Sequence, residues 1–149
     1  MSLPPLQSDG DLPLGVHPAT LTEVLLRFGS GASQRQVVGQ RLDRIYGIAA
    51  GSGCLARFIV FGSFITDEPF PNDVDIFMVM EDNFDVDHFT GDAELLFRDH
   101  LNADVHFGAS VFWLRRMAAV DGEQAAVEFW QIKRDGGERG IVEIVGRGT

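Results

Sequence analysis

The sequence predicts a small α+β domain in two layers, a mixed β-sheet covered on one side by helices. Three observations predict it. Two apolar runs, Leu55–Phe61 and Val74–Met80, have the length and the β-branched and aromatic content of buried strands. Upstream of them, two stretches repeat apolar residues at helical spacing behind capping boxes. Hydrophobic residues make up 45% of the chain and Phe contributes 12, enough to fill a core. At 149 residues the length prior is one domain, here an irregular lead-in over 1–18 and a single domain over 19–149.

The lead-in is rich in turn residues, Pro4-Pro5, Asp9-Gly10-Asp11 and His17-Pro18, while Leu3, Leu6, Leu12, Leu14 and Val16 pin it to the domain. Thr20-x-x-Glu23 opens a first helix, with Leu21, Val24, Leu25 and Phe28 inward and Gly29 as its stop. Ser33-x-x-Gln36 opens a second, over 34–50, whose Val38, Leu42, Ile45 and Ala49 share one face. Gly51-Ser52-Gly53 ends it, and the strand Leu55–Phe61 follows.

Val74–Met80 is a core strand, broken by Glu81-Asp82-Asn83. Asp82, Asp85 and Asp87 do not form an EF-hand loop, because no register gives both the glycine and the closing acid. Thr90 or Asp92 caps a helix to about 100. Residues 101–107 then alternate, Leu101, Ala103, Val105 and Phe107 against Asn102, Asp104 and His106, which predicts a half-buried strand. Ser110 caps a segment over 111–119 with Phe112, Trp113, Met117 and Val120 core-like, and a further helix spans 123–132. Its aromatics Phe129 and Trp130 read as core or partner surface rather than as a base-stacking platform. Arg134-Asp135-Gly136-Gly137 is a turn, and 141–145 a late edge strand with Glu143 outward.

Composition excludes several function classes. The formal charge is −10, Lys133 is the only lysine, and no Lys/Arg stripe exists, so autonomous nucleic-acid binding is not expected. Cys54 is the only cysteine, so there is no internal disulfide or cysteine metal cluster. The first residues lack the pattern of a signal peptide, and no apolar run reaches the roughly 18 residues of a membrane span. The sequence predicts a cytoplasmic protein without a membrane segment.

The chemistry concentrates between the two central strands. The first ends at Gly62-Ser63, nine residues intervene, and Asp73 and Asp75 bracket the start of the second. Side chains two apart on a strand project from the same face, so the two carboxylates stand together and raise each other's pKa unless a positive group lies between them. A divalent cation with oxygen ligands, such as Mg²⁺, answers that need.

Gly62-Ser63, the nine-residue spacer and Asp73-Val74-Asp75-Ile76 resemble the signature of the nucleotidyltransferase superfamily that includes DNA polymerase beta and the small bacterial minimal nucleotidyltransferases. The resemblance implies the nucleotidyltransferase fold. It also implies transfer of a nucleoside monophosphate from an NTP, such as ATP, to a hydroxyl acceptor on protein or RNA. Gly62 and Ser63 would position the triphosphate, and Asp73 and Asp75 would hold one Mg²⁺. Asp104, placed where the superfamily's third carboxylate follows the next helix, would join them as catalytic residue and ligand of a second Mg²⁺; Mn²⁺ could replace either ion. Familiar members carry a basic residue shortly after Gly-Ser, where this chain has Thr66, Asp67 and Glu68. The missing charge would come from Arg35, Arg41, Arg44, Arg57 or the pair Arg115-Arg116. The small bacterial type often works with a protein partner, in some cases as half of a toxin–antitoxin pair. The alternative is a catalytically degenerate member serving as an interaction or antitoxin-like subunit.

Overall fold

A computed structural model describes residues 2–149. Five strands form one mixed sheet: β1 (Val16–Ala19), β2 (Leu55–Phe61), β3 (Val74–Met80), β4 (Ala109–Arg115) and β5 (Ile141–Ile144), in the spatial order β1-β5-β2-β3-β4. β5 pairs antiparallel with β2 and parallel with β1, β2 pairs antiparallel with β3, and β3 parallel with β4. Five helices accompany them: α1 (Leu21–Phe28), α2 (Ser33–Gly51), α3 (Asp92–Arg98), α4 (His100–Phe107) and α5 (Glu123–Glu128).

The two central strands start and stop where the sequence predicts. The first two helices also form, with Val38, Leu42, Ile45 and Ala49 buried as one face of α2. Thr20 Oγ1 accepts the Glu23 amide at 3.1 Å, but the Glu23 carboxylate turns away and accepts the Leu3 amide, tying the lead-in to α1. Ser33 does not cap α2; Ala32 precedes the helix with no side-chain cap bond.

Alternation sorts the strand residues between two faces. Phe58, Val60, Ile76, Met78, Val111, Val142 and Ile144 face α1 to α4 and form the main core. Ile59, Phe77, Val79 and Ile141 face the other way, against Val127 of α5 and Trp130 just after it. The sheet is therefore a mixed α+β arrangement with helices chiefly on one face and a short segment on part of the other.

Three predicted elements are corrected. Residues 101–107 are helical, because the apolar residues that alternate also pair at i,i+4. Ala103 and Phe107 are buried, whereas Leu101 is 71% and Val105 87% exposed. Local chemistry decides between the two periods: the Asp99 carboxylate caps the Leu101 amide at 2.8 Å, and Gly108 ends the helix in the left-handed conformation at φ 65°. The strand comes after that glycine, and it takes up the start of the predicted 111–119 segment. Met117 and Val120 lie outside the core, 83% and 97% exposed. The late strand is not at an edge, since β5 lies between β1 and β2. It gains its outer neighbour because the lead-in supplies β1.

Candidate functional site: a carboxylate pair under a cationic hairpin

The site forms where β2 ends and β3 begins. Phe61, Asp75 and Ser110 are cross-strand neighbours on β2, β3 and β4, and their side chains share the face opposite α1 to α4. Gly62 leaves β2 at φ 84°, a conformation that favours glycine, and a Cβ there would overlap the Asp75 carboxylate. Glycine at 62 thus makes room for the aspartate itself. A single 3-10 turn, Ser63–Ile65, follows, rather than a longer helix whose amides could grip phosphate.

The structure places Asp73 and Asp75 side by side in an open cavity of about 600 Å³ that Ser63, Asn72 and Ser110 also line. Ser110 Oγ donates to Asp73 Oδ2 at 3.2 Å. Burial and the neighbouring Asp73 push the Asp75 carboxyl up from 3.8 to about 6, while Arg134, Ser110 and Arg139 pull the other way.

Asp104 does not join them. It lies on the exposed side of α4, and α4 packs against the opposite face of the sheet. Its assignment failed with the strand on which it depended. The strand after the intervening helices is β4, and the residue it presents beside Asp75 is Ser110. Among the described residues, no three His, Cys, Asp or Glu side chains are grouped to hold a metal ion. Two carboxylates and a hydroxyl are hard oxygen donors, a set that fits one Mg²⁺ or Mn²⁺ completed by substrate oxygens and water, and does not fit the two ions of the three-carboxylate expectation.

The arginines singled out in the sequence have other partners. Arg35 donates to the carbonyls of Phe28, Phe64, Thr66 and Glu68 and so clamps the loop after Ser63. Arg41 reaches the Asn72 carbonyl at 3.3 Å, Arg44 pairs with Asp92, and Arg57 with Glu143. Arg115 bonds the Phe84 carbonyl, and Arg116 bridges Glu81 and Glu123. The positive charge comes instead from Lys133, Arg134 and Arg139, on a hairpin closed by the Ile132–Glu138 bridge. Because β5 runs antiparallel to β2, the residues just before Ile141 arrive beside the end of β2. Asp11, only 5% exposed, fastens this hairpin to the lead-in, accepting Lys133 Nζ at 2.8 Å and Arg139 Nη1 at 3.5 Å. The available signal was local charge density, three of the chain's 12 basic residues within one short turn.

A family model for a family of unknown function, DUF6932, matches residues 4–145. The chain belongs to that family. The match spans every element of the cleft, from the Asp11 brace to the hairpin cations. No curated protein and no solved structure matches the chain. Among the described residues, no helix of this family member is long and apolar enough to cross a membrane.

Proposed function

We propose that the Asp73/Asp75 cleft is the donor site of a metal-dependent nucleotidyltransferase, binding an NTP and passing its nucleoside monophosphate to a hydroxyl acceptor. One observation supports this above the others: two adjacent carboxylates, one of them held near pKa 6, are faced by Arg134 and Arg139 from a separate hairpin. Carboxylates beside cationic side chains suit a ligand that brings both its own metal and its own negative charge, as a chelated triphosphate does.

In this reading Asp73 and Asp75 hold the ion and Ser110 orients Asp73. The bound ion supplies charge neutralisation at the reacting phosphate. Arg134 and Arg139 bind the β- and γ-phosphate oxygens and counter the charge that grows there as the α–β bridging bond breaks. The acceptor oxygen bonds to the α-phosphorus, pyrophosphate leaves, and the hydroxyl proton passes to water. Arg35 holds the loop after Ser63 in place through its carbonyls.

A second reading has its own support. Ser110 stands on the strand where the superfamily resemblance calls for the third carboxylate, which favours a nucleotide-binding interaction or antitoxin-like subunit that retains the donor site without transfer.

Calorimetric titration with a panel of NTPs in Mg²⁺ or Mn²⁺ tests both, run beside the Asp73→Asn/Asp75→Asn variant. Metal-dependent binding that the variant loses, together with release of pyrophosphate when hydroxyl acceptors are supplied, is the expected result. The same binding without pyrophosphate release favours the second reading. An absence of binding at millimolar nucleotide removes both.

A further inference from the structure

Next to the cationic compartment lies a cavity of about 380 Å³. Its walls are aromatic. Trp130 sits 4.5 Å from Phe61 and 5.0 Å from Phe112, ring centroid to centroid, with planes inclined by 30° and 31°. His100 stacks on Phe112 at 4.5 Å and 25°. Phe129 and Ile132 stand at the mouth, 58% and 53% exposed.

These rings do not simply close a core. Phe77 and Ile59, one step further along the same face, are fully covered, whereas Phe112 remains 36% exposed. A cluster of large apolar side chains left open around a concave floor marks a binding site more often than a packing fault. The floor of the cavity is Asp75 and Ser110, and its rim is Lys133, Arg134 and Arg139. All five residues also line the carboxylate compartment. A ligand that spans both spaces has a planar apolar part joined to an anionic part.

We infer that the cavity lined by Phe61, Phe112, Phe129 and Trp130 receives the base of the bound nucleotide against its open aromatic surface, and that it selects purines over pyrimidines by ring size. The inference rests on the donor-site reading above. Selection by ring size follows from the lining: at the apolar end Phe112, Phe129, Trp130 and Ile132 offer faces and methyl groups, and no carboxylate or amide side chain is there to read a base edge. Stacking on an aromatic side chain tolerates any base and grows with ring area.

The test uses three probes with Mg²⁺: ATP, CTP and inorganic tripolyphosphate. Replacing Trp113 with Phe leaves Trp130 as the sole tryptophan of the two in the chain. Its fluorescence is expected to change with ATP and to stay constant with tripolyphosphate. In the unaltered chain, calorimetry is expected to show ATP binding about ten-fold more tightly than CTP. Phe112→Ala should bring the two nucleotides within about two-fold of each other and weaken tripolyphosphate far less than ATP. Equal affinities for ATP, CTP and tripolyphosphate in the unaltered chain would overturn the inference and leave the donor site standing. So would a Phe112→Ala chain that loses tripolyphosphate as fully as ATP. Failure of tripolyphosphate and both nucleotides to bind would remove the donor-site reading and this inference with it. Should Trp113→Phe fail to fold, calorimetry on the unaltered and Phe112→Ala chains decides alone.

Discussion

The two faces of β3 differ in what their side chains do. On one, Val74, Ile76, Met78 and Met80 are fully buried under the helices. On the other, Asp75 precedes Phe77 and Val79, and the helical cover thins toward the aspartate. The backbone is the same and the residues alternate, so neighbours in sequence sit in opposite environments. The closed face supplies stability. The open face holds a carboxylate in surroundings that disfavour its charge, as a binding site does when it gives up stability for function.

The largest effect should come from the closed face. Ile76→Ala removes a wholly buried side chain of the main core and should cost about 3–4 kcal/mol in denaturant unfolding. Nucleotide affinity of the folded fraction should hardly move. If Ile76→Ala instead weakened binding strongly at little cost in stability, the two faces would not be separable.

Gly62→Ala acts on the boundary between them. It forces an alanine to a φ of 84° and drives a methyl group into the Asp75 carboxylate. A loss of about 2–3 kcal/mol is expected, with metal-dependent nucleotide binding abolished because Asp75 is displaced. Full binding in Gly62→Ala would mean that the Asp75 position is not what the ligand requires.

On the open face the sign should reverse. The folded state holds the Asp75 proton to about pH 6, against 3.8 for the ordinary carboxyl, so it binds that proton more tightly than the unfolded chain does. Below pH about 3 the carboxyl is largely protonated in both states and costs almost nothing. As pH rises through 6 the folded state must release the proton against burial and Asp73, and stability falls. Asp75→Asn removes that penalty. It should stabilise the metal-free protein by about 1–3 kcal/mol at pH 7.5 and by nothing measurable near pH 3. Urea unfolding at the two pH values reads both numbers. A destabilised Asp75→Asn at pH 7.5 would identify Asp75 as a structural hydrogen-bonding residue.

The same contrast explains what could be read from the sequence. Leu55–Phe61, Gly62, Asp73, Asp75 and Val74–Met80 were legible because strand period and spacing are local properties. The cationic rim was not. Lys133, Arg134 and Arg139 reach the cleft only because β5 inserts between β1 and β2 and runs antiparallel to β2, a pairing with no local signature. The aromatic wall was hidden for a related reason: Phe61 and Phe112 flank the aspartate strand from two different neighbours, and Trp130 closes over both. Core-like composition was correct for Phe77 and Trp113 and uninformative about which rings would be left open.

Asp104 offers the smallest and cleanest test of the boundary between the two faces. Alternation from Leu101 to Phe107 placed it on a strand beside the carboxylate pair, whereas the Asp99 cap and Gly108 place it on the outer side of α4. Being exposed and on the far face, Asp104→Asn should change stability by less than about 0.5 kcal/mol and leave Mg²⁺-dependent nucleotide binding unaltered. Ser110→Ala, which removes the hydroxyl from Asp73 Oδ2, should weaken that binding several-fold under the same conditions. The opposite ranking, with Asp104 essential and Ser110 dispensable, would require residues 101–107 to leave the helix and pair beside β3 when ligand binds.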